Sequence, residues 1–178
     1  VTRYAALLRA VNVGGRNKVP MATLREIADG LGYADTATYV QSGNLVLGAD
    51  GVDAAAIEIA VADGLQRTLG LDIDVIVRNR EELAAVLAAN PFDGIADDPA
   101  RLMVSFLTGK PRAESAELDR DEFAPELFEL GDRCVYLWYP NGAGRSKMAA
   151  APWERRLGVR GTARNWRTIH ALLELLDR

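Results

Sequence analysis

Apolar residues run almost unbroken from Tyr4 to Val11, with Arg9 the one interruption, and predict a strand over residues 3–11. Met21, Leu24, Ile27, Ala28 and Leu31 then recur at helical spacing, and Gly32 ends that helix. Residues 36–41 and 45–48 read as two strands joined by a tight turn at Ser42-Gly43. Asp53 is placed to cap a second helix, whose stripe is Ile57, Val61, Leu65 and Leu69. Residues 73–78 form a further strand. Asn79, three residues before Glu82, has the spacing of a capping box for a helix over 80–89.

A polar connection over residues 90–100, with Pro91, Gly94 and Pro99, marks an internal boundary. Beyond it the pattern predicts a strand over 102–108, a charged helix over 114–123, and strands over 126–130 and 133–139. Asp132 follows Gly131 in the turn between the last two. Helices over 147–157 and 165–176 close the chain, the first stopped by Gly158. Both halves thus open strand–helix–strand–strand–helix. The expected fold is α+β: two ferredoxin-like (split β-α-β) halves with mainly antiparallel sheets. The N-terminal half spans 1–90, and the C-terminal half, with an extra C-terminal helix, spans 100–178. The duplication is read from element order, because side-chain identity between the halves is slight.

Composition narrows the function classes. A chain of 178 residues buries a sizeable core as one domain or two small ones. No apolar run is long enough to span a bilayer, and the N-terminal run is too short and too interrupted for a signal peptide. One cysteine, Cys134, excludes an internal disulfide framework, and with one histidine, His170, it cannot build a Cys/His zinc site. The expected setting is bacterial cytoplasm, with no membrane partner and no metal. The net charge of −4 conceals segregation. Residues 1–25 hold five basic residues and no acid, 26–132 hold seven basic and twenty-two acidic, and 133–178 hold nine basic and three acidic. Termini folded against each other would make one basic, site-sized face on an acidic body.

Four polar islands interrupt the core pattern. The first, Asn12-Val13-Gly14-Gly15-Arg16-Asn17-Lys18, follows a strand and precedes a helix start. Gly14 and Gly15 allow close backbone approach to a ligand, and Arg16 and Lys18, with Arg9 on the strand before, supply charge for an anion. A wide turn whose asparagines bond their own backbone is the plain alternative. The second, Tyr39-Val40-Gln41-Ser42-Gly43-Asn44, is an ordinary hairpin turn by itself, though Gln41, Ser42 and Asn44 could present polar groups. The third, Pro140-Asn141-Gly142-Ala143-Gly144-Arg145-Ser146-Lys147, fails the phosphate-loop pattern, which needs Gly-Lys-Ser/Thr in that order. Gly144 and Arg145 at a helix start, with Ser146 as cap, remain. The fourth, Thr162-Ala163-Arg164-Asn165-Trp166-Arg167-Thr168, offers Thr162 or Asn165 as helix cap. Trp166 joins the buried stripe with Ile169, Leu173 and Leu176, and His170 beside it reads as a hydrogen-bonded structural residue. Arg164 and Arg167 in a first helical turn oppose the dipole and suggest an anion or an acidic segment.

None of the islands contains Asp, Glu, His or Cys, the usual acids, bases and hard-metal ligands. Tyr39, Ser42, Ser146, Lys18 and Lys147 are left for chemistry, a pKa-shifted lysine being the most capable. Donors without bases suit binding, or electrostatic stabilisation of a developing negative charge. The sequence names no cofactor and no reaction.

Together the islands resemble the bacterial proteins grouped as domain of unknown function 1697. The resemblance rests on the Asn-Val-Gly-Gly loop with its lysine at Asn12 to Lys18, and on Tyr-x-Gln-Ser-Gly-Asn at Tyr39 and Gln41 to Asn44. It also rests on Asn90-Pro91-Phe92, on Gly144-Arg145-Ser146-Lys147 and on Thr162-x-Arg164-Asn165-Trp166. It spans essentially the whole chain and implies an α+β fold of two ferredoxin-like halves, with no activity attached.

The leading expectation is a small-ligand protein that holds an anionic, phosphorylated or nucleotide-like molecule between its halves. Arg9, Asn12, Gly14, Gly15, Arg16, Asn17, Lys18, Gln41, Ser42, Asn44, Arg145, Ser146, Lys147, Arg164 and Asn165 would line the site. The alternatives are a nucleic-acid-binding module and a protein-interaction or structural domain. The first alternative lacks the aromatic strand pattern of RNA-binding sheets, and the acidic middle repels an extended backbone.

Overall fold

Strand β1 (Thr2–Leu8) ends three residues earlier than the apolar run predicts. Ala10 and Asn12 take left-handed φ values of 55° and 54°, which a pleated strand does not accommodate, so the chain leaves the sheet after Leu8. The computed structural model describes every residue from Val1 to Arg178. It divides into two units, Val1–Ala85 with Ala171–Arg178, and Val86–His170.

In the first unit β1 is followed by α1 (Met21–Gly30), β2 (Ala34–Thr38), β3 (Asn44–Ala49), α2 (Ala54–Leu69) and β4 (Val75–Asn79). The sheet order is β2-β3-β1-β4 with every pair antiparallel. Period-two alternation puts Tyr4, Ala6 and Leu8 of β1 on one face, with Leu45 and Leu47 of β3 and Val75 and Val77 of β4. Leu24, Ile27 and Ala28 of α1 and Ile57, Val61 and Leu65 of α2 pack into the same cluster. Fully burying each larger aliphatic side chain contributes about 1.5–3 kcal/mol. Gly64 lets the two helices approach, since a Cβ there would lie 2.5 Å from Ile27 Cγ2.

The expected caps are present. Asp53 Oδ1 accepts from Ala56 N at 2.8 Å. Asn79 Oδ1 accepts from Glu82 N at 2.9 Å while Glu82 Oε2 accepts from Asn79 N at 2.8 Å, a reciprocal capping box that starts α3 (Arg80–Ala88).

The second unit contains β5 (Leu102–Leu107), β6 (Leu127–Gly131), β7 (Cys134–Trp138), α4 (Trp153–Leu157) and β8 (Gly161–Asn165). The last helix, α5 (Trp166–Leu176), begins in this unit. The second sheet runs β6-β7-β5-β8, again fully antiparallel. In both sheets the order is second, third, first, fourth strand.

Besides β1, β2 lies two to three residues earlier than the strand expected over 36–41, and three further elements differ from expectation. The helix over 114–123 is a single 3₁₀ turn, Ala113–Glu117. The stretch lacks an apolar stripe, and the Asp119 carboxylate accepts from Asp121 N at 2.9 Å, a local bond that competes with helix. The helix over 147–157 shrinks to α4, because Pro152 lacks an N–H and disfavours helical geometry at Ala151. Gly158 does stop it, at φ 76°. The third difference is β8, a strand where a loop into the last helix is expected. Its inward positions are Thr162 and Arg164, both buried, so it has no apolar alternation for the pattern to detect.

β8 also matches β4 of the first sheet at residue level. β4 ends in Arg78-Asn79 and β8 in Arg164-Asn165. Arg78 lies opposite Ala5 of β1, and Arg164 opposite Val104 of β5. Both guanidinium groups are buried, and each donates to the carbonyl of the residue before it, at 2.9 Å. Both asparagines cap the following helix. No helix is long and apolar enough to cross a membrane.

Candidate functional site

In the first unit the opening loop and the hairpin loop leave the same end of the sheet, since Leu7 lies opposite Asn44. Gly14 and Gly15, at φ 57° and 73°, occupy the centre of a tight turn closed by Arg16 N donating to Val13 O at 3.0 Å. A Cβ at either glycine meets nothing within 4 Å, so the turn's backbone sign, not packing, requires them.

Asn12 Nδ2 donates to Val19 O at 3.0 Å and Gln41 O at 2.7 Å, and its Oδ1 accepts from Val19 N at 2.9 Å. Asn17 Nδ2 donates to Ala10 O at 3.0 Å. Asn44 is fully buried, its Nδ2 donating to Tyr39 O and Ser42 Oγ, both at 3.0 Å. Asn12 joins the two loops, while Asn17 braces the opening loop and Asn44 the hairpin loop. Arg9 is half-buried beside Asp74, at 3.9 Å. Arg16 and Lys18 are exposed and make no ion pair or side-chain hydrogen bond. The Gln41 side chain is also exposed.

Two valines stand out at these loop tips. Val13 is 66% exposed and Val40 52% exposed. Val40 also has φ 50°, a left-handed conformation that a β-branched residue adopts only under strain.

In the second unit the third island forms one wall of a cleft of about 540 Å³, within the usual range for small-molecule sites. Gly142, Gly144, Arg145, Ser146 and Lys147 face a segment running from Glu122 to Glu126. Ser146 Oγ accepts from Ala149 N at 3.0 Å, so the hydroxyl caps a turn and not the helix start expected at 147. Arg145 and Lys147 are exposed and carry no ion pair.

The cleft wall opposite rests on an aromatic cluster. Phe128 and Trp153 meet edge-on at 5.1 Å, and Phe123 lies 6.2 Å from each. Arg156 stacks over Phe123 and forks onto Glu122 with bonds of 2.6 and 2.7 Å. The hydrogen bonds from Arg156 hold the Glu122 carboxyl below its usual range, against the opposing effect of desolvation.

Two carboxylates therefore border an island that contains none. They lie some twenty residues earlier in the chain, brought in because β6 and β7 form a hairpin, and no local spacing signals them. Tyr139, buried beside this wall, has its phenol pushed up to about 12, first by burial and then by the charge of Glu126.

The fourth island leaves the same end of the second sheet, since Trp138 lies opposite Leu102 and Asn165 opposite Met103, with β5 between. Arg164 and Asn165 are not among the residues lining the cleft. Arg164 is on a strand and not in a helical first turn. It is 6% exposed, donates to Thr162 Oγ1 at 2.7 Å, and burial pushes its guanidinium down to about 10. Asn165 Oδ1 accepts from Thr168 N at 2.9 Å and is the cap of α5. Arg167 is exposed. His170 is exposed too, its ring edge-on to Trp166 at 5.8 Å, and no hydrogen bond holds it.

The structure thus joins the first two islands in one unit, and in the other joins the third to a pair of carboxylates.

The chain is similar to a solved structure described as that of the conserved bacterial protein SP0830 from Streptococcus pneumoniae. Identity is 25%, 98% of each chain is covered, and the TM-score is 0.77. The likeness extends the arrangement of helices and two four-stranded antiparallel sheets over 98% of the chain. No curated protein matches the chain. The family model described as protein of unknown function (DUF1697) matches residues 1–136, which include the first two islands and the carboxylate wall of the cleft. On that match, the chain belongs to the DUF1697 family of proteins of unknown function.

Proposed function

We propose that the protein binds a small phosphorylated metabolite in the cleft of the second unit. One observation carries this reading: Arg145 and Lys147 border a cleft of about 540 Å³ without an ion pair. Exposed cations beside a concave surface are suited to phosphate oxygens, the arginine by a planar fork and the lysine as a point charge. Gly142 and Gly144 leave the backbone open on the same wall. The strand order of both sheets supports a ferredoxin-like reading of each half. The single cysteine, buried and outside any disulfide, suits a cytoplasmic setting.

A thermal-shift panel of phosphorylated metabolites tests the proposal. A ligand at about a hundred times its Kd adds about 2.7 kcal/mol, a readily measured shift. The double substitution Arg145→Ala with Lys147→Ala removes the shift, while Arg16→Ala with Lys18→Ala leaves it. A panel that shifts nothing sinks the reading.

A second reading is favoured by Val13 and Val40, exposed apolar side chains beside the unpaired Arg16 and Lys18. That combination suits the docking of an acidic, partly apolar protein segment. In this case Arg16→Ala with Lys18→Ala abolishes capture of the partner, and the cleft substitutions do not.

A further inference from the structure

We infer that the ligand of the second-unit cleft carries an amine as well as an anionic group. This rests on the binding reading above and names the chemical class within it. Of the two carboxylates on the cleft wall, Glu122 is fully engaged, both of its oxygens accepting from the Arg156 fork. Glu126 is half-buried and makes no ion pair or side-chain hydrogen bond. Arg145 and Lys147 border the same cleft and are likewise unpaired.

An acid and two cations on one cleft would lower their energy by pairing if the walls allowed it. Here the aromatic cluster fixes one wall, through Phe123, and the capped turn at Ser146 fixes the other. Neither cation pairs with Glu126, and all three border one space of ligand size. A molecule that bridges them needs a cationic end for Glu126 and an anionic end for Arg145 and Lys147. A purely anionic ligand would instead meet repulsion from Glu126. Amino acids with a second acidic group, amino phosphates and amino-sugar phosphates share this chemistry. Two cations against one acid favour a ligand whose anionic charge exceeds its single positive charge.

Calorimetric titration of the whole chain with matched pairs differing only in the amine tests the inference. Suitable pairs are O-phosphoserine with 3-phosphoglycerate, glucosamine 6-phosphate with glucose 6-phosphate, and glutamate with glutarate. In at least one pair the amine-bearing member binds about tenfold more tightly, the difference expected of a charge-assisted hydrogen bond. Glu126→Gln erases that preference and leaves the deaminated member as tight or tighter. The pair that responds tells whether phosphate or carboxylate is the anionic end. Equal binding within every pair, or a preference that survives Glu126→Gln, overturns the inference and leaves anion binding standing. An absence of binding throughout overturns both.

Discussion

Asn12 fastens the opening loop to the hairpin loop by donating to the carbonyl oxygen of Gln41 across 2.7 Å. The same carboxamide exchanges two more bonds with the backbone of Val19. A hydrogen bond contributes about 1 kcal/mol net, less where solvent reaches it, and alanine adds strain at the left-handed φ of this residue. Asn12→Ala therefore lowers stability by roughly 2–3 kcal/mol, read from the urea midpoint. A loss below about 0.5 kcal/mol would show that the loops do not depend on this residue.

Gly43 and Gly14 both have positive φ, yet they answer to different constraints. A Cβ at Gly43 would sit 2.6 Å from Val11 Cγ2 and 2.8 Å from Leu8 Cβ. A Cβ at Gly14 would meet open space. Gly14→Ala carries only the left-handed penalty, about 1–2 kcal/mol. Gly43→Ala adds overpacking against the end of β1, a further ~1–3 kcal/mol. Chemical denaturation of the two variants side by side gives the ordering, and equal losses would refute the packing argument.

The contrast also shows what the sequence could reveal. A glycine at a turn is readable as a glycine, but whether it answers to backbone sign or to a neighbour's methyl group is a tertiary fact. Asp53 and the Asn79–Glu82 box were legible because a cap is a local bond at fixed spacing. The apolar stripes of α1 and α2 were legible because burial is periodic. β8 was hidden because its inward residues, Thr162 and Arg164, are polar. The helix over 147–157 is shorter than expected because Pro152 interrupts it. Among candidate site residues, the cations were visible by charge. Glu126 was not, because only the β6–β7 hairpin brings it near residues 141–147.

Asn165 separates capping from ligand binding. Its Oδ1 accepts from Thr168 N at 2.9 Å, at the start of an eleven-residue helix. Asn165→Ala lowers stability by about 1 kcal/mol, while Asn165→Asp, which keeps the acceptor, holds it within a few tenths. Neither change alters the affinity of a cleft ligand, since Asn165 is not in the cleft wall. Thermal melts together with a binding isotherm check both halves of this statement. An affinity loss in Asn165→Asp at full stability would assign the residue to a ligand.

Tyr139 and Glu126 link the cleft to alkaline stability. Burial, assisted by the Glu126 charge, pushes the Tyr139 phenol up to about 12 from an ordinary value of 10.0. The folded state keeps this proton where the unfolded chain has released it. The linked contribution is thus fully present below pH 10 and is lost as pH rises toward 12, on the order of 2–3 kcal/mol across the window. Tyr136 is raised as well, by burial and then by Cys134. Glu126→Gln removes the neighbouring charge and shifts the Tyr139 titration to lower pH without bringing it down to an exposed tyrosine's value. Ultraviolet titration of tyrosinate, with Tyr139→Phe identifying the step, measures the shift directly. A titration unmoved by Glu126→Gln would mean that the carboxylate lies too far from the phenol to act on it.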